Sequence, residues 1–488
     1  MQNLSDNSPE AGAGWWSRLE TYQKLVFIVA AAAWMFDCLD QQLFNLARKP
    51  AMAALVSNPD DRGFYGGIAT MVFMLGWGTG GMIFGSLGDR YGRVKMLAIT
   101  IALYSIATGL SALSVHITDF CIYRFITGLG VGGVFGLSVA VVADTLPTQG
   151  RTRALGVLQS FSTVGNVGAG LIGLAMAGSN LGWKSLFLIG AVPALLTASI
   201  QFKMKEPQQW LESRDRTLAA GRKAGSYKEL FGSPRWRRHS VFGVLLCCAG
   251  VVGLWGIGVF SSDMVNDIVT RNMTVLGKSA VEIGQAVPVW ASMNLLSFNV
   301  GGYAGMLAFT YATERVGRRK AFAFFFTGAL LATVFAYQKM NGATVLPFLK
   351  GDGQIMAALR SDIPWLAAIM GFFQLSVFAG FSIYLPELFP DRLRSTGTSF
   401  CYNVGRYLAA TAPFTLAQMA TSLGKSAQEK AVAALPTDAI TSVIAIAKTT
   451  AKIDAFRNSA SMMSLVFLLG IVVLPFLPET KGQRLPED

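Results

Sequence analysis

Four ionisable side chains stand inside stretches oily enough to enter a bilayer, and together they could move a proton. Asp37 and Asp40 lie in "FDCLDQQLFNLARKP" (36–50), directly after the apolar "LVFIVAAAAWM". Arg124 lies in "CIYRFITG" and Arg406 in "FCYNVGR". An ionised group at membrane depth is expensive unless it is paired or wetted. On a helical rise of about 1.5 Å per residue, Asp40 sits about 24 Å above Lys24. Arg124 sits about 10 Å below Ile117 on a span running the other way, so the two share a depth. A carboxylate that takes a proton releases its arginine. The pairing is therefore a proton switch or, with the same geometry, a static ion pair. Asp37 lies one turn deeper on nearly the same face, and two carboxylates about 5–6 Å apart cannot both stay ionised cheaply. The proton-coupling set expected is Asp37, Asp40 and Arg124. Arg406 lies roughly 16 Å into its span from Ser395, near the midplane. Its planar fork suits the carboxylate of a solute or the side chain of Asp37.

Gln41, Gln159, Asn294, Gln374, Tyr402 and Asn403 place further polar groups at cavity depth, and Trp255 in "GLWGIG" could stack on a ring. With Arg406 they form the expected substrate-binding set, although any intramembrane amide can equally tie two helices together. Other chemistry is missing. There is no Walker-type phosphate loop and no nucleophile–base constellation. The two histidines, His116 and His239, and the five cysteines make no metal-ligand cluster. The expectation is no enzyme, no cofactor, no metal and no disulfide framework.

These residues need spans to hold them. Of the 488 residues only 14% are charged, and mean hydropathy is +0.45, against about 25% charged in soluble domains. Twelve apolar runs follow one another at 25–47, 64–87, 95–116, 118–143, 153–178, 183–202, 240–262, 288–311, 321–338, 364–386, 396–421 and 458–477. Each is long enough to cross the hydrocarbon core. The first residues are polar and acidic, so no cleavable signal peptide is expected. The net charge of +13 is spread over loops, which excludes nucleic acid as a partner. Its concentration in short loops such as "GDRYGRVK" and "TERVGRRK" puts both termini in the cytoplasm, and the expected location is the plasma (inner) membrane.

The chain also repeats itself. "GSLGDRYGRVK" (85–95) and "TERVGRRK" (313–320) both read acid-Arg-x-Gly-Arg after an even-numbered span. "DTLPTQGR" (144–151) matches "ELFPDRLR" (387–394), and "KEPQQWLES" more loosely matches "LPETKGQRLPE". Three echoes in one order make two six-span halves. Each loop glycine permits a tight turn, and each carboxylate can meet an arginine or a helix N-terminus of a neighbouring span. The residues expected to latch and gate the cytoplasmic side are Gly85, Asp89, Arg90, Gly92, Arg93, Glu314, Arg315, Gly317 and Arg318. Asp144 with Arg151, and Glu387 with Arg394, join them. Basic loops that only set topology would explain the arginines but not the acids.

These motifs resemble the major facilitator superfamily. "GSLGDRYGRVKM" is similar to its loop 2–3 signature and "ATERVGRRKA" to the degenerate twin. "YRFITGLGVGG", "YLPELFPDRLRSTG" and "LPETKGQ" resemble the sugar-porter side. The Asp-x-x-Asp at 37–40 and "FCYNVGR" resemble the sialic-acid and aromatic-acid proton symporters. The resemblance implies an all-α membrane protein of twelve transmembrane helices in two pseudo-symmetric six-helix bundles. It also implies a span-one aspartate working against a span-four arginine. Two departures stand out. Val134 occupies a place where such relatives often carry an acid, and "LLCCAGVVGLWG" lacks the Gln-Gln pair of sugar porters. The expected organisation is a cytoplasmic tail (1–23), a six-helix bundle (24–202), a cytoplasmic linker (203–239) with a short helix at "SYKELF", and a second bundle (240–478). The second bundle carries enlarged outer loops at 263–287, 339–364 and 424–456, and a cytoplasmic tail (479–488) follows. The expected activity is proton-coupled symport of a small organic anion, working as a monomer in the lipid bilayer. A neutral sugar or polyol carrier and a non-transporting ligand sensor are the alternatives.

Overall fold

A computed structural model describes residues 15–58, 61–177, 182–191, 200, 204–258, 261–349, 351–409, 412–436, 440–483 and 485–486. The first 14 residues and much of the sixth apolar run, from 192 on, lie outside the described residues. The chain forms α1 (Thr21–Leu55), α2 (Arg62–Tyr91), α3 (Arg93–Ser111), α4 (Ile117–Thr145), α5 (Thr148–Ala177) and α6 (Trp183–Gly190). A connecting stretch carries α7 (Gln208–Ala219) and α8 (Tyr227–Gly232). There follow α9 (Pro234–Gly253), α10 (Ser261–Val275), α11 (Ala280–Val316), α12 (Arg318–Lys339), α13 (Gln354–Arg360), α14 (Ile363–Glu387) and α15 (Arg394–Ala409). α16 (Ala412–Ala433), α17 (Thr441–Met463) and α18 (Val466–Val473) complete the fold. Among the described residues nine helical segments are long and apolar enough to cross a membrane.

The helices start where the sequence supplies donors and acceptors for their free ends. Ser279 and Glu282 form a capping box at α11, and Ser226 accepts the Glu229 N–H at α8, the short helix read from "SYKELF". α4 and α14 are the central helices: 83% and 78% of their apolar windows are buried. Each is gripped by a partner through glycines. A Cβ on Gly76, Gly80, Gly128 or Gly132 would run into the backbone of the facing helix of the α2–α4 pair. Gly301, Gly305 and Gly371 do the same for α11 and α14. Without a hydrophobic driving force in lipid, this backbone approach supplies the packing. The same device at corresponding places shows the internal repeat in three dimensions. The halves meet where α2 and α4 face α15 and where α5 faces α11 and α14.

The enlarged loops opposite the acid-Arg turns fold into helices. α10 and the short α13 fill two of them, and α16 and α17 form a helical pair that α10 supports through Lys452 Nζ to Asp267 at 2.8 Å. One irregularity was not legible from hydropathy. "LWGIG" (254–258) closes α9 as a π-helical turn, a feature that tends to mark functional positions.

Candidate functional site

A cavity partly open at the surface lies between the halves. α1 contributes Trp34, Cys38, Gln41 and Gln42, α2 contributes Trp77, and α5 contributes Gln159, Ser162 and Asn166. The other half supplies Trp255 from the π-helical turn, Phe298 and Asn299 from α11, Phe378 from α14, and Tyr402 and Arg406 from α15. The Arg406 guanidinium carbon lies 3.5 Å from the centre of the Trp77 ring and 4.5 Å from that of Tyr402. Tyr402 stacks on Phe135 at 3.8 Å, and Trp77 meets Trp255 edge-on at 6.1 Å. The charge is thus held by ring faces, which attract a cation without neutralising it. Nε and Nη1 of Arg406 make no hydrogen bond among the described residues. Across the seam Asn166 donates to Asn299 at 2.9 Å.

The expected binding residues divide. Gln41, Gln159, Trp255, Tyr402 and Arg406 line the cavity, whereas Asn294, Gln374 and Asn403 do not. Asn294 donates to Ser261 and Ser262, Gln374 donates to Thr333 at 2.7 Å, and Asn403 donates to the carbonyl of Gly132 on α4 at 3.4 Å besides that of Ser399 in its own helix. These three tie helices together. Trp34, Trp77, Asn166 and Asn299 were missed. The two asparagines are amides in apolar runs, the signal that selected the others. The two tryptophans read as ordinary filling.

Asp37 and Asp40 are fully enclosed behind this cavity wall. Gln41 and the charges of Asp40 and Arg406 act on Asp37, yet neither of its oxygens has a well-formed hydrogen bond among the described residues. Arg124, also fully buried, is not in direct ion-pair contact with Asp40, contrary to the simplest sequence expectation. It donates to Ser111 at 2.6 Å and Thr127 at 3.0 Å, and its guanidinium lies 4.7 Å from the Phe187 ring centre. Between it and Asp40 stands the Thr108 hydroxyl. The charge of Arg124 still acts on Asp40 across that gap.

The acid-Arg turns lie together at one end of the bundle. Asp89, at the end of α2, accepts hydrogen bonds from the backbone N–H of Ser395 (3.1 Å) and Thr396 (2.8 Å) and from the Thr396 hydroxyl (2.7 Å). It caps α15 of the other half, where an anion is favoured, and also pairs with Arg93 at 3.0 Å. Arg93 and Arg394 both pair with Asp144, and Arg394 pairs with Asp391 as well. The second set is more open. Arg318 grips Glu387 at 2.7 Å and reaches Thr152 of the first half at 2.9 Å, while Arg153 meets Glu314 at 2.8 Å. Asp144 thus binds Arg394 across the seam as well as Arg93 of its own half, and Glu387 binds Arg318, each an arginine of another helix. Arg151 donates to the Leu146 carbonyl at 3.3 Å. Arg90 and Arg315 lie on Tyr91 and Tyr311. Gly85 lets α2 approach Ser399 of α15 closely.

Sequence reasoning missed Asp391, Arg153, Glu206 and Glu479. The last two give the loose third echo its meaning. Gly92 (φ 119°) and Gly317 (φ 92°) turn the chain in a conformation that favours glycine. Glu206 then accepts the N–H of Val94 and Lys95 at 3.1 and 3.0 Å, and Glu479 those of Arg318 and Arg319 at 2.9 and 3.1 Å. Burial alone would raise the Glu479 carboxyl, but these N–H donors and that of Lys481 outweigh it and hold it below the ordinary glutamate range. Such a group stabilises the fold above its unfolded pKa, and the contribution fades in acid as pH falls through the lowered value. Glu479→Ala is expected to destabilise by about 1–2 kcal/mol, in line with loss of a helix cap. Thermal unfolding at neutral pH, compared with acid where the difference should shrink, checks this.

Comparison with known proteins follows the same lines. Residues 31–303 match the family profile described as Major Facilitator Superfamily, and 306–487 match that described as Sugar (and other) transporter. The chain is 26% identical to the cis,cis-muconate transport protein of Acinetobacter baylyi, over 82% of this chain and 88% of that one. It is 24% identical to the sialic acid transporter of Escherichia coli, over 82% and 88%. The fold resembles that of a proton:xylose symporter solved with 6-bromo-6-deoxy-D-glucose. The TM-score is 0.66 at 19% identity, covering 95% of this chain and 98% of that one.

Proposed function

The chain belongs to the major facilitator superfamily, and from that premise we propose that it is a proton-coupled symporter of a small organic anion. Its family makes it a multi-pass membrane transporter of twelve helices in two bundles, and not an enzyme. The anion is a carboxylate, a sugar acid or an aromatic acid. One observation carries this reading: a guanidinium lines a cavity shared by both halves, cradled by rings and, among the described residues, without an ion-paired acid. Such a group binds a planar carboxylate more naturally than a neutral sugar. Two relatives named for muconate and sialic acid point the same way. Transport proceeds by rocking the halves about this midplane site. The latched end is the cytoplasmic one, both termini lie there, and the protein works as a monomer in the plasma (inner) membrane.

Vesicles containing the purified protein and an internal pH dye test the reading. Proton influx driven by carboxylates and not by neutral sugars is the expected result. Influx with sugars, or binding without uptake, would overturn it. Arg406→Lys keeps the charge but loses the fork, removing a hydrogen bond to a charged group worth roughly 1.5–3 kcal/mol. The KM for the carboxylate is expected to rise about ten- to a hundredfold, with maximal rate less affected.

A further inference from the structure

The Thr108 hydroxyl of α3 stands between Asp40 and Arg124. It donates to Asp40 Oδ2 at 3.2 Å and accepts from Arg124 Nη2 at 3.4 Å. Thr108, Asp40 and Arg124 are all buried, and Ser111, next on the same face of α3, accepts from the same Nη2 at 2.6 Å and from Nε at 3.1 Å. The gap is kept open from the opposite side. A Cβ on Gly190, at the end of α6, would lie 2.5 Å from Asp40 Oδ1 and 3.0 Å from Thr108 Cγ2. The arrangement thus leaves Asp40 against a hydroxyl on one side and a bare glycine on the other. Besides Arg124, the titratable groups among the described residues whose charge is coupled to Asp40 are Asp37 on its own helix and Tyr104 on α3.

We propose that Thr108 is a positioning residue that relays the protonation state of Asp40 to Arg124. This rests on the proton-coupled reading above. A threonine oxygen has one proton and two lone pairs. With Asp40 ionised, the proton points to the carboxylate and a lone pair faces Arg124. When Asp40 takes a proton from the medium, its new O–H becomes the donor and the threonine oxygen the acceptor. The threonine proton then swings to another acceptor, such as the carbonyl four residues back, a common bond for helical threonine. No bond but that of the incoming proton is made or lost. The Thr108 oxygen still accepts from Arg124 through its second lone pair, but it is no longer polarised by an anion, so its hold on Arg124 weakens.

The test separates the hydroxyl from the methyl group. Valine keeps the shape of threonine and loses the oxygen; serine does the reverse. In the purified protein, the infrared carboxyl band of Asp40, isolated by subtracting the spectrum of Asp40→Asn, is titrated against pH. Thr108→Val removes a donor to the ionised form, and its midpoint is expected to move up by about one pH unit. Thr108→Ser should titrate like the parent. Thr108→Ala replaces the valine variant if the latter fails to fold. A midpoint unmoved by valine, or moved by serine and not by valine, overturns the relay and points to packing alone. Because no solute is needed, that failure is distinct from failure of the symport reading, which the vesicle assay reads. An Asp40 band that does not titrate at all would overturn both.

Discussion

Arg394→Ala unfolds well below the parent protein and no longer closes the end of the bundle that the acid-Arg turns occupy. Arg394 is fully buried between Asp144 of one half and Asp391 of its own. Its removal leaves Asp89, Asp144 and Asp391 with Arg93 as their remaining buried cation in that cluster. Breaking a buried charge network from one side typically costs roughly 3–5 kcal/mol, because the partners stay desolvated and uncompensated. The effect should exceed that of Arg318→Ala, which leaves the single, slightly more open carboxylate of Glu387, and far exceed that of Arg90→Ala, an exposed residue lying on Tyr91. Thermal unfolding of the three variants in detergent ranks them. Equal melting temperatures would mean that the cluster does not hold the halves together. Exchanging the charges, Asp144→Arg with Arg394→Asp, should recover little, since Arg93 and Asp391 would then face like charges.

Asp40→Asn gives the second large effect, on coupling rather than on folding. The amide keeps the shape of the carboxylate and can still accept from Thr108, so the packing against α3 and Gly190 survives. What it cannot do is gain or lose a proton. One pH unit across the membrane is worth about 1.4 kcal/mol per proton, or tenfold accumulation of solute. The variant is expected to lose that accumulation and to retain exchange of labelled for unlabelled carboxylate down its gradient. Vesicles with and without an imposed pH gradient distinguish the two. A variant that still concentrates solute against its gradient would remove Asp40 from the coupling step. Asp37→Asn is the informative companion, because Asp37 feels the charges of both Asp40 and Arg406.

Much of this molecule was determined along the chain. Spans, turns and repeat follow from hydropathy, from glycines that must adopt positive φ at Gly92 and Gly317, and from acids spaced one turn from arginines. Those are local constraints, satisfied within a few residues and so visible in their order. Asp89 was read as meeting an arginine or a helix N-terminus, and it meets both. What only the tertiary structure decided is which of several equivalent charges and amides face one another. Asp144 could choose Arg151, Arg93 or Arg394 by sequence alone; helix packing brings the last two within reach. Asn294 and Asn299 are both amides on α11, yet rotation of the helix sends the first to serines of α10 and the second into the shared cavity. Trp77 and Trp34 carry no polar signal, and become cavity walls because α2 and α1 happen to turn those faces inward. Partner choice across a seam depends on the relative rotation of whole helices. That rotation is set by glycine contacts summed over their length, and no short motif records it.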